Sequence, residues 1–218
     1  MMNKAIIVGA SPDAWIDHKA IIDSNAIIIG VDRGALTLLQ QEITPDIALG
    51  DFDSITQEEY LLLTNNCPKI MKLKPEKDET DTEVAITHLS SLGITDIDIY
   101  GGLGGRVDHT IANIRLVLKF IKKGISISLI NETNQLKILT AGAYEFKAKN
   151  YPYLSFFAIE ENVMGLSLLG VKYPLVSYQL KQDDVRCISN EIIDKRFKIS
   201  FHQGYLLMIN SRDIYKWA

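Results

Sequence analysis

The sequence has few of the features that mark secreted, nucleic-acid-binding or membrane proteins. Its 218 residues include only two cysteines, Cys67 and Cys187, which lie far apart and lack metal-ligand spacing, as expected in a reducing cytoplasm. The net charge is −4 and no basic stripe stands out, which argues against nucleic-acid binding. No apolar run approaches the ~18 residues of a membrane helix, and the apolar start is too short for a signal-peptide core. We therefore expect a soluble, cytoplasmic protein.

The first part of the sequence alternates strands with helices. Apolar runs typical of strands lie at 5–8, 26–31, 47–49, 70–73 and 97–100. The segments between them carry helical spacing, most clearly from Val84 to Leu92 and from Ile111 to Ile121. This alternation predicts an α/β domain over residues 1–124, with a mainly parallel sheet and helices on both faces.

The second part of the sequence, residues 125–218, is predicted to be all-β. Turn residues separate its short apolar runs, which points to an antiparallel sandwich or barrel. The runs lie at 125–130, 136–139, 154–159, 166–169, 171–178, 199–201 and 205–209. We see no flexible linker between the two parts.

Three loops in the first part combine acidic residues or glycines with a preceding strand. The loop 50–54 reads GDFDS, 77–81 reads KDETD, and 101–109 reads GGLGGRVDH. Carboxylates are ligands that Mg²⁺ accepts while leaving other positions to water and phosphate oxygens. Glycine lets backbone amides approach a phosphate, and arginine can offer a phosphate two donors. The combination suggests chemistry on a metal-bound polyphosphate.

These loops should meet at one edge of the sheet. Ligands of a parallel sheet bind in the crevice outside the carboxyl ends of its strands. Asp32 follows the second predicted strand, Asp51 and Asp53 the third, residues 74–81 the fourth, and residues 101–108 the fifth. Four loops that are separated in sequence are therefore expected to converge.

Each motif also has a simpler explanation, and other functions remain open. A D-x-D after a strand can cap a helix or form a turn, and the glycine loop matches neither a dinucleotide fingerprint nor a P-loop. A metal-dependent phosphohydrolase or nucleotidyltransferase could use the same acidic edge. A non-catalytic sensor of a nucleotide or another small molecule is the other alternative, although binding alone needs fewer acids.

The ordered motifs resemble those of the thiamine pyrophosphokinase family. The resemblance rests on 30–35 (GVDRGA), 45–54 (PDIALGDFDS), 77–81 (KDETD) and 101–113 (GGLGGRVDHTIAN), with weaker matches at 170–175 (GVKYPL) and 189–191 (SNE). It implies an N-terminal α/β domain, a C-terminal β-sandwich, a homodimer, and Mg²⁺-dependent transfer of pyrophosphate from ATP to thiamine. Arg33 stands where many members carry a second glycine, and Tyr173 where some carry tryptophan.

The resemblance and the chemistry together assign roles to residues. Residues 1–124 would bind ATP and Mg²⁺, and residues 125–218 would bind thiamine at a site shared between two chains. The expected metal ligands are Asp51, Asp53, Asp81 and Asp78. The expected ATP-binding residues are Asp32, Arg33, Lys77, Gly101, Gly102, Gly104, Gly105 and Asn113. Arg106 should contact phosphate, Asp108 should orient Arg106 or the nucleophile, and Tyr173, Ser189 and Asn190 should contact thiamine.

Overall fold

The chain forms two compact units that divide between Glu132 and Thr133. The computed structural model describes residues 3–11, 15–148 and 151–213. The division falls eight residues beyond the boundary predicted after residue 124. It does so because the strand Ser126–Ile130, which we predicted to open the antiparallel part, pairs parallel with Asp96–Tyr100 of the first unit. No helix within the described residues is long and apolar enough to cross a membrane.

The N-terminal unit is a parallel sheet with alternating helices. Its strands are β1 Lys4–Val8, β2 Ile27–Val31, β3 Ile47–Gly50, β4 Ile70–Lys72, β5 Asp96–Tyr100 and β6 Ser126–Ile130. Its helices are α1 His18–Ile22, α2 Arg33–Gln40, α3 Gln57–Asn66, α4 Asp81–Ser91 and α5 Val107–Ile121. The strand order is β4-β3-β2-β1-β5-β6, and every neighbouring pair is parallel. The predicted parallel, strand–helix alternation is confirmed.

Local sequence explains why these elements form. Strand β3 is buried along its whole length, as an apolar run inside a parallel sheet should be. Helix α4 begins after Thr80, whose hydroxyl accepts a hydrogen bond from the Glu83 backbone N–H at 3.2 Å. Its buried residues Ala85, Ile86 and Leu89 lie at helical spacing and face the core.

The strand order creates a switch point beside β1. From β1 the chain adds β2, β3 and β4 on one side and then returns to place β5 on the other side. The loops that leave β1 and β5 therefore start next to each other, and a crevice opens between them at the carboxyl edge of the sheet. Residues 9–11 and 101–105 form these two loops.

The C-terminal unit is antiparallel, and no helix occurs in its described residues 133–148 and 151–213. Its strands are β7 Asn134–Leu139, β8 Gly142–Lys147, β9 Tyr153–Leu169, β10 Leu175–Leu180, β11 Asn190–Glu191, β12 Arg196–Phe201 and β13 Gln203–Ser211. Strand β9 changes partners along its length: residues 153–159 pair with β13, and residues 163–168 pair with β10. Side chains of β9, β12 and β13, among them Phe156, Phe197 and Leu206, form one buried core.

Three details of the C-terminal unit differ from the sequence prediction. The predicted strands 154–159 and 166–169 are one strand, because the exposed residues 160–162 continue its backbone. The predicted strand 171–178 begins only at Leu175, while Val171 forms an isolated bridge with Ile192. Strands β8 and β11 were not predicted.

Candidate active site

Three carboxylates from separate loops converge in the N-terminal unit. Asp32 follows β2, Asp51 follows β3, and Asp81 begins α4. One carboxylate oxygen of each lies within 4.8 Å of the others. All three residues are partly buried, so this acidic cluster is set into the protein and not spread over its surface.

The backbone around the acidic cluster is strained. Asp32 has φ +47° and Phe52 has φ +61°, values that residues with a side chain adopt rarely. Such conformations cost about 1–3 kcal/mol each and concentrate at functional sites. At Gly50 a Cβ atom would lie 1.9 Å from Oδ1 of Asp32, so only glycine lets the end of β3 approach that carboxylate.

Burial and crowding change the protonation of the acidic cluster. Burial of Asp32 and the closeness of the Asp81 and Asp51 carboxylates raise the pKa of Asp32 to about 7. Lys77 offsets part of this negative charge by pairing with Oδ1 of Asp81. Burial of Lys77 opposes its charge, but the hydrogen bond to Asp81 and the nearby carboxylates outweigh burial and raise the pKa of Lys77.

The acidic cluster has the chemistry of a divalent-cation site. Oδ1 of Asp32 is buried without a hydrogen-bond partner among the described residues. An orphaned carboxylate oxygen beside two further carboxylates is costly unless a proton or a cation neutralises the charge there. Hard divalent cations prefer such oxygen ligands, so Asp32, Asp51 and Asp81 fit a metal ion.

A cleft of about 550 Å³ lies at the switch point. In Gly104 and Gly105, φ is +103° and +63°, which glycine adopts without steric cost. The Asn113 side-chain amide donates to the Gly102 carbonyl at 2.8 Å and so ties this loop to α5. The lining comprises Gly9, Ala10, Ser11, Val31, Asp32, Thr80, Asp81, Thr82, Ile99, Gly101, Gly102, Gly104, Gly105, Arg106, His109, Ala112 and Asn113.

Arg106 and Asp108 form an exposed ion pair beside the cleft. Nε of Arg106 donates to Oδ1 of Asp108 at 3.1 Å, and Nη2 donates to Oδ2 at 2.5 Å. The hydrogen bonds from Arg106 are the main reason that the pKa of Asp108 is lowered. The side chains are 72% and 61% exposed, so the guanidinium is accessible to an anion in the cleft.

Several predicted site residues do not join the acidic cluster. Asp53 and Asp78 are exposed, and neither contributes to the three-carboxylate group. The backbone N–H of Asp53 instead donates to Oδ1 of Asp51 at 3.1 Å. Arg33 contacts the loop after Asp53 and is not among the cleft-lining residues. Asp32, predicted to bind ATP, is a member of the acidic cluster.

Sequence reasoning missed part of the cleft. Gly9, Ala10 and Ser11 follow the first strand and line the cleft, as do Thr80, Thr82, His109 and Ala112. Residues 9–11 could have been predicted to line the cleft, because three small residues follow a buried parallel strand at the same carboxyl edge of the sheet.

In the C-terminal unit, Asn190 holds the backbone of Tyr173. The Asn190 side chain is buried; its Oδ1 accepts from the N–H of Tyr173 at 3.0 Å and of Glu191 at 2.9 Å. Its Nδ2 donates to the Tyr173 carbonyl at 2.8 Å. Tyr173 is 59% exposed, and Nζ of Lys172 lies 5.6 Å from the centroid of its ring. Ser189 is also exposed, and its N–H donates to the Ser155 hydroxyl at 3.0 Å.

Two family models match this chain. Residues 18–129 match the thiamin pyrophosphokinase catalytic domain, and residues 143–206 match the thiamin pyrophosphokinase vitamin B1 binding domain. The chain belongs to the thiamin pyrophosphokinase family. A thiamine pyrophosphokinase of Bacillus subtilis is 37% identical over 209 residues, which cover 95% of this chain and 98% of that protein.

Solved structures agree with this family membership. The crystal structure of thiamine pyrophosphokinase from Bacillus subtilis has a TM-score of 0.91 at 36% identity, covering 97% of this chain and all of that one. That of thiamin pyrophosphokinase from Geobacillus thermodenitrificans has a TM-score of 0.87 at 33% identity, covering 97% and 98%. The Candida albicans enzyme, at 16% identity and a TM-score of 0.83, shares the fold.

Proposed function

We propose that the chain transfers the pyrophosphoryl group of ATP to the hydroxyl of thiamine, giving thiamine diphosphate and AMP. The observation that carries this proposal is the acidic cluster, which lies beside a glycine-lined cleft and inside the region that matches the family's catalytic domain. Phosphoryl-type transfer is catalysed mainly by positioning and electrostatic stabilisation, which this arrangement of carboxylates, backbone amides and arginine supplies.

In this proposal Asp32, Asp51 and Asp81 hold Mg²⁺. Their converging oxygens and the orphaned Oδ1 of Asp32 support that assignment. When bound, the ion would polarise phosphate oxygens and stabilise the charge that develops on them. Asp53 and Asp78 remain predictions as further ligands.

ATP would bind in the cleft with its phosphates facing the acidic cluster. Backbone N–H groups of the glycine loop can approach phosphate oxygens closely, because no Cβ intervenes. Arg106, oriented by Asp108, supplies two more donors, and Lys77 neutralises part of the charge. The Asn113 amide would act indirectly by holding the Gly102 carbonyl.

Thiamine would bind to the C-terminal unit, which we propose is a β-sandwich. The exposed ring of Tyr173 offers a face to the thiazolium cation, and Ser189 is a second exposed polar neighbour. Asn190 contributes by fixing the Tyr173 backbone. We further propose a homodimer in which this surface of one chain completes the cleft of its partner. A cytoplasmic location stays a prediction.

Product analysis tests the proposed reaction. Purified protein is incubated with ATP, Mg²⁺ and thiamine, and the products are separated chromatographically. Thiamine diphosphate and AMP in equal amounts are expected, and chelation of the metal should abolish both. ADP or free phosphate in place of AMP would refute pyrophosphoryl transfer and favour a phosphohydrolase.

Complementation tests the shared site. A chain carrying Asp51→Asn is mixed with a chain carrying Tyr173→Ala, under conditions in which labelled subunits exchange. Mixed dimers keep one site with both parts intact, so activity above that of either variant alone is expected. If subunits exchange without any recovery, both parts of the site belong to one chain.

A further inference from the structure

Arg33 links two loops of the acidic cluster. Its Nη1 donates to the Ser54 carbonyl at 3.0 Å, and its Nη2 donates to Oε1 of Glu59 at 3.2 Å. Arg33 directly follows Asp32 in the chain, and Ser54 closes the turn that begins at Asp51. One guanidinium therefore joins the backbone that carries Asp32 to the turn that carries Asp51.

Glu59, which accepts the second hydrogen bond from Arg33, is itself held in place. Oε2 of Glu59 accepts from the N–H of Thr56 at 2.8 Å, and the Thr56 hydroxyl accepts from the N–H of Glu59 at 3.2 Å. This capping box fixes the start of α3 immediately after the turn. The N–H of Thr56 and then Arg33 keep the pKa of Glu59 low, so Glu59 is a charged partner at neutral pH.

The turn between Asp51 and Ser54 needs such support. Phe52, with φ +61°, is buried, and its ring packs edge-on against Tyr60 at a centroid distance of 5.5 Å. A strained conformation persists only when its surroundings over-determine it. Phe52 anchors the middle of the turn in the core, and Arg33 anchors its end.

We infer that Arg33 is a positioning residue that fixes the turn of Asp51 relative to Asp32, and that it does not bind ATP. This inference rests on the proposed function for its metal and nucleotide. Each terminal nitrogen of Arg33 donates one hydrogen bond to a protein acceptor, and the residue does not line the cleft. Arg33 therefore acts by joining the loop that carries Asp32 to the turn that carries Asp51.

Metal affinity measured without nucleotide distinguishes a positioning role of Arg33 from an ATP-binding role. We measure Mn²⁺ binding by calorimetry and steady-state kinetics for the wild type and for Arg33→Ala. Because residues that hold metal ligands in place change metal affinity by about 10–100-fold, we expect the variant to bind Mn²⁺ about tenfold more weakly. Its kcat should fall, while KM for ATP at saturating metal changes less than about twofold.

Two further variants make the test sharp. Arg33→Lys keeps the charge but offers one nitrogen in place of a planar fork, so we expect an intermediate Mn²⁺ affinity, and this variant also serves if Arg33→Ala does not fold. Arg196→Ala removes a matched exposed Arg–Glu pair in the other unit, where Arg196 Nη1 lies 2.5 Å from Glu145, and should leave Mn²⁺ affinity unchanged.

The opposite pattern overturns the inference. If Arg33→Ala binds Mn²⁺ as the wild type does while KM for ATP rises about tenfold, Arg33 contributes ATP-binding energy instead. Wild-type protein that binds Mn²⁺ but forms no thiamine diphosphate would refute the proposed function alone. Weaker Mn²⁺ binding by Arg33→Ala would still support the positioning role in that case.

Discussion

The ammonium group of Lys77 pairs with Oδ1 of Asp81, one of the three carboxylates that fit a metal ion. Both side chains are largely shielded from solvent, at 18% and 13% exposure. The charges of Asp51 and Asp32 also act on Lys77. Lys77 is therefore an internal counter-ion of the acidic cluster, and a metal ion must share Asp81 with it or displace it.

Replacing Lys77 should strengthen metal binding. We expect Lys77→Gln to bind Mn²⁺ about tenfold more tightly without nucleotide, which corresponds to about 1.4 kcal/mol, because a competing cation is removed. Calorimetric titration checks this. Lys119→Gln is the matched control, since Lys119 pairs with Glu83, two residues after Asp81 on α4. Weaker Mn²⁺ binding by Lys77→Gln would mean that Lys77 supports the site instead of competing for it.

Replacing Asp51 should remove activity and not stability. Asp51→Asn should lower turnover by several orders of magnitude, because an aligned metal supplies several kcal/mol of transition-state stabilisation. Its melting temperature should change little, since an asparagine Oδ1 can still accept from the N–H of Asp53. Asp17→Ala should do the reverse: loss of the α1 cap costs about 1 kcal/mol with turnover intact. Normal turnover in Asp51→Asn would exclude Asp51 as a ligand.

Replacing Asn190 and replacing Tyr173 should have different effects on stability. Asn190→Ala leaves two backbone N–H groups and one carbonyl without their partner, so we expect a loss of about 1–3 kcal/mol in unfolding free energy. Tyr173→Ala should keep the melting temperature, because the ring is mostly exposed. Both variants should raise KM for thiamine. An unchanged melting temperature in Asn190→Ala would contradict the structural role of its amide.

Asp184 should make the C-terminal unit sensitive to acid. Arg186 and the Tyr178 hydroxyl donate hydrogen bonds that lower the pKa of Asp184. A lowered pKa contributes stability above the unfolded value of about 3.9, and that contribution is lost as the pH falls through the folded value. Asp184→Asn should therefore melt below the wild type at pH 7, and the difference should shrink below about pH 4. An equal difference at pH 7 and pH 3 would contradict this account.

Much of the fold was predictable because its strands are continuous apolar runs or separated by clear turns. Strand β8 was missed because most of its residues are exposed and its pairing partner β12 lies about 50 residues away in sequence. The sequence pattern did not show that β9 is one continuous strand, because residues 160–162 are exposed although their backbone remains in the strand. In both cases exposed residues hide the strand, because the hydrophobic pattern on which the prediction rests is interrupted there.

The site was predictable to the level of loops and not of individual ligands. The predicted strand ends placed Asp51 and Asp81 at the same edge of the sheet, and both belong to the acidic cluster. The choice of Asp32 as the third member depends on its own unusual backbone and on the absence of a side chain at Gly50. The role of Arg33 likewise depends on acceptors 21 and 26 residues away.

Anomalous diffraction from crystals soaked in Mn²⁺ tests the central claim most directly, because it locates the metal without reference to activity. We predict one strong peak with oxygens of Asp32, Asp51 and Asp81 at about 2.1 Å, and loss of that peak in Asp51→Asn. A peak held by other residues, or none beside Asp32 and Asp81 at saturating Mn²⁺, would contradict the account.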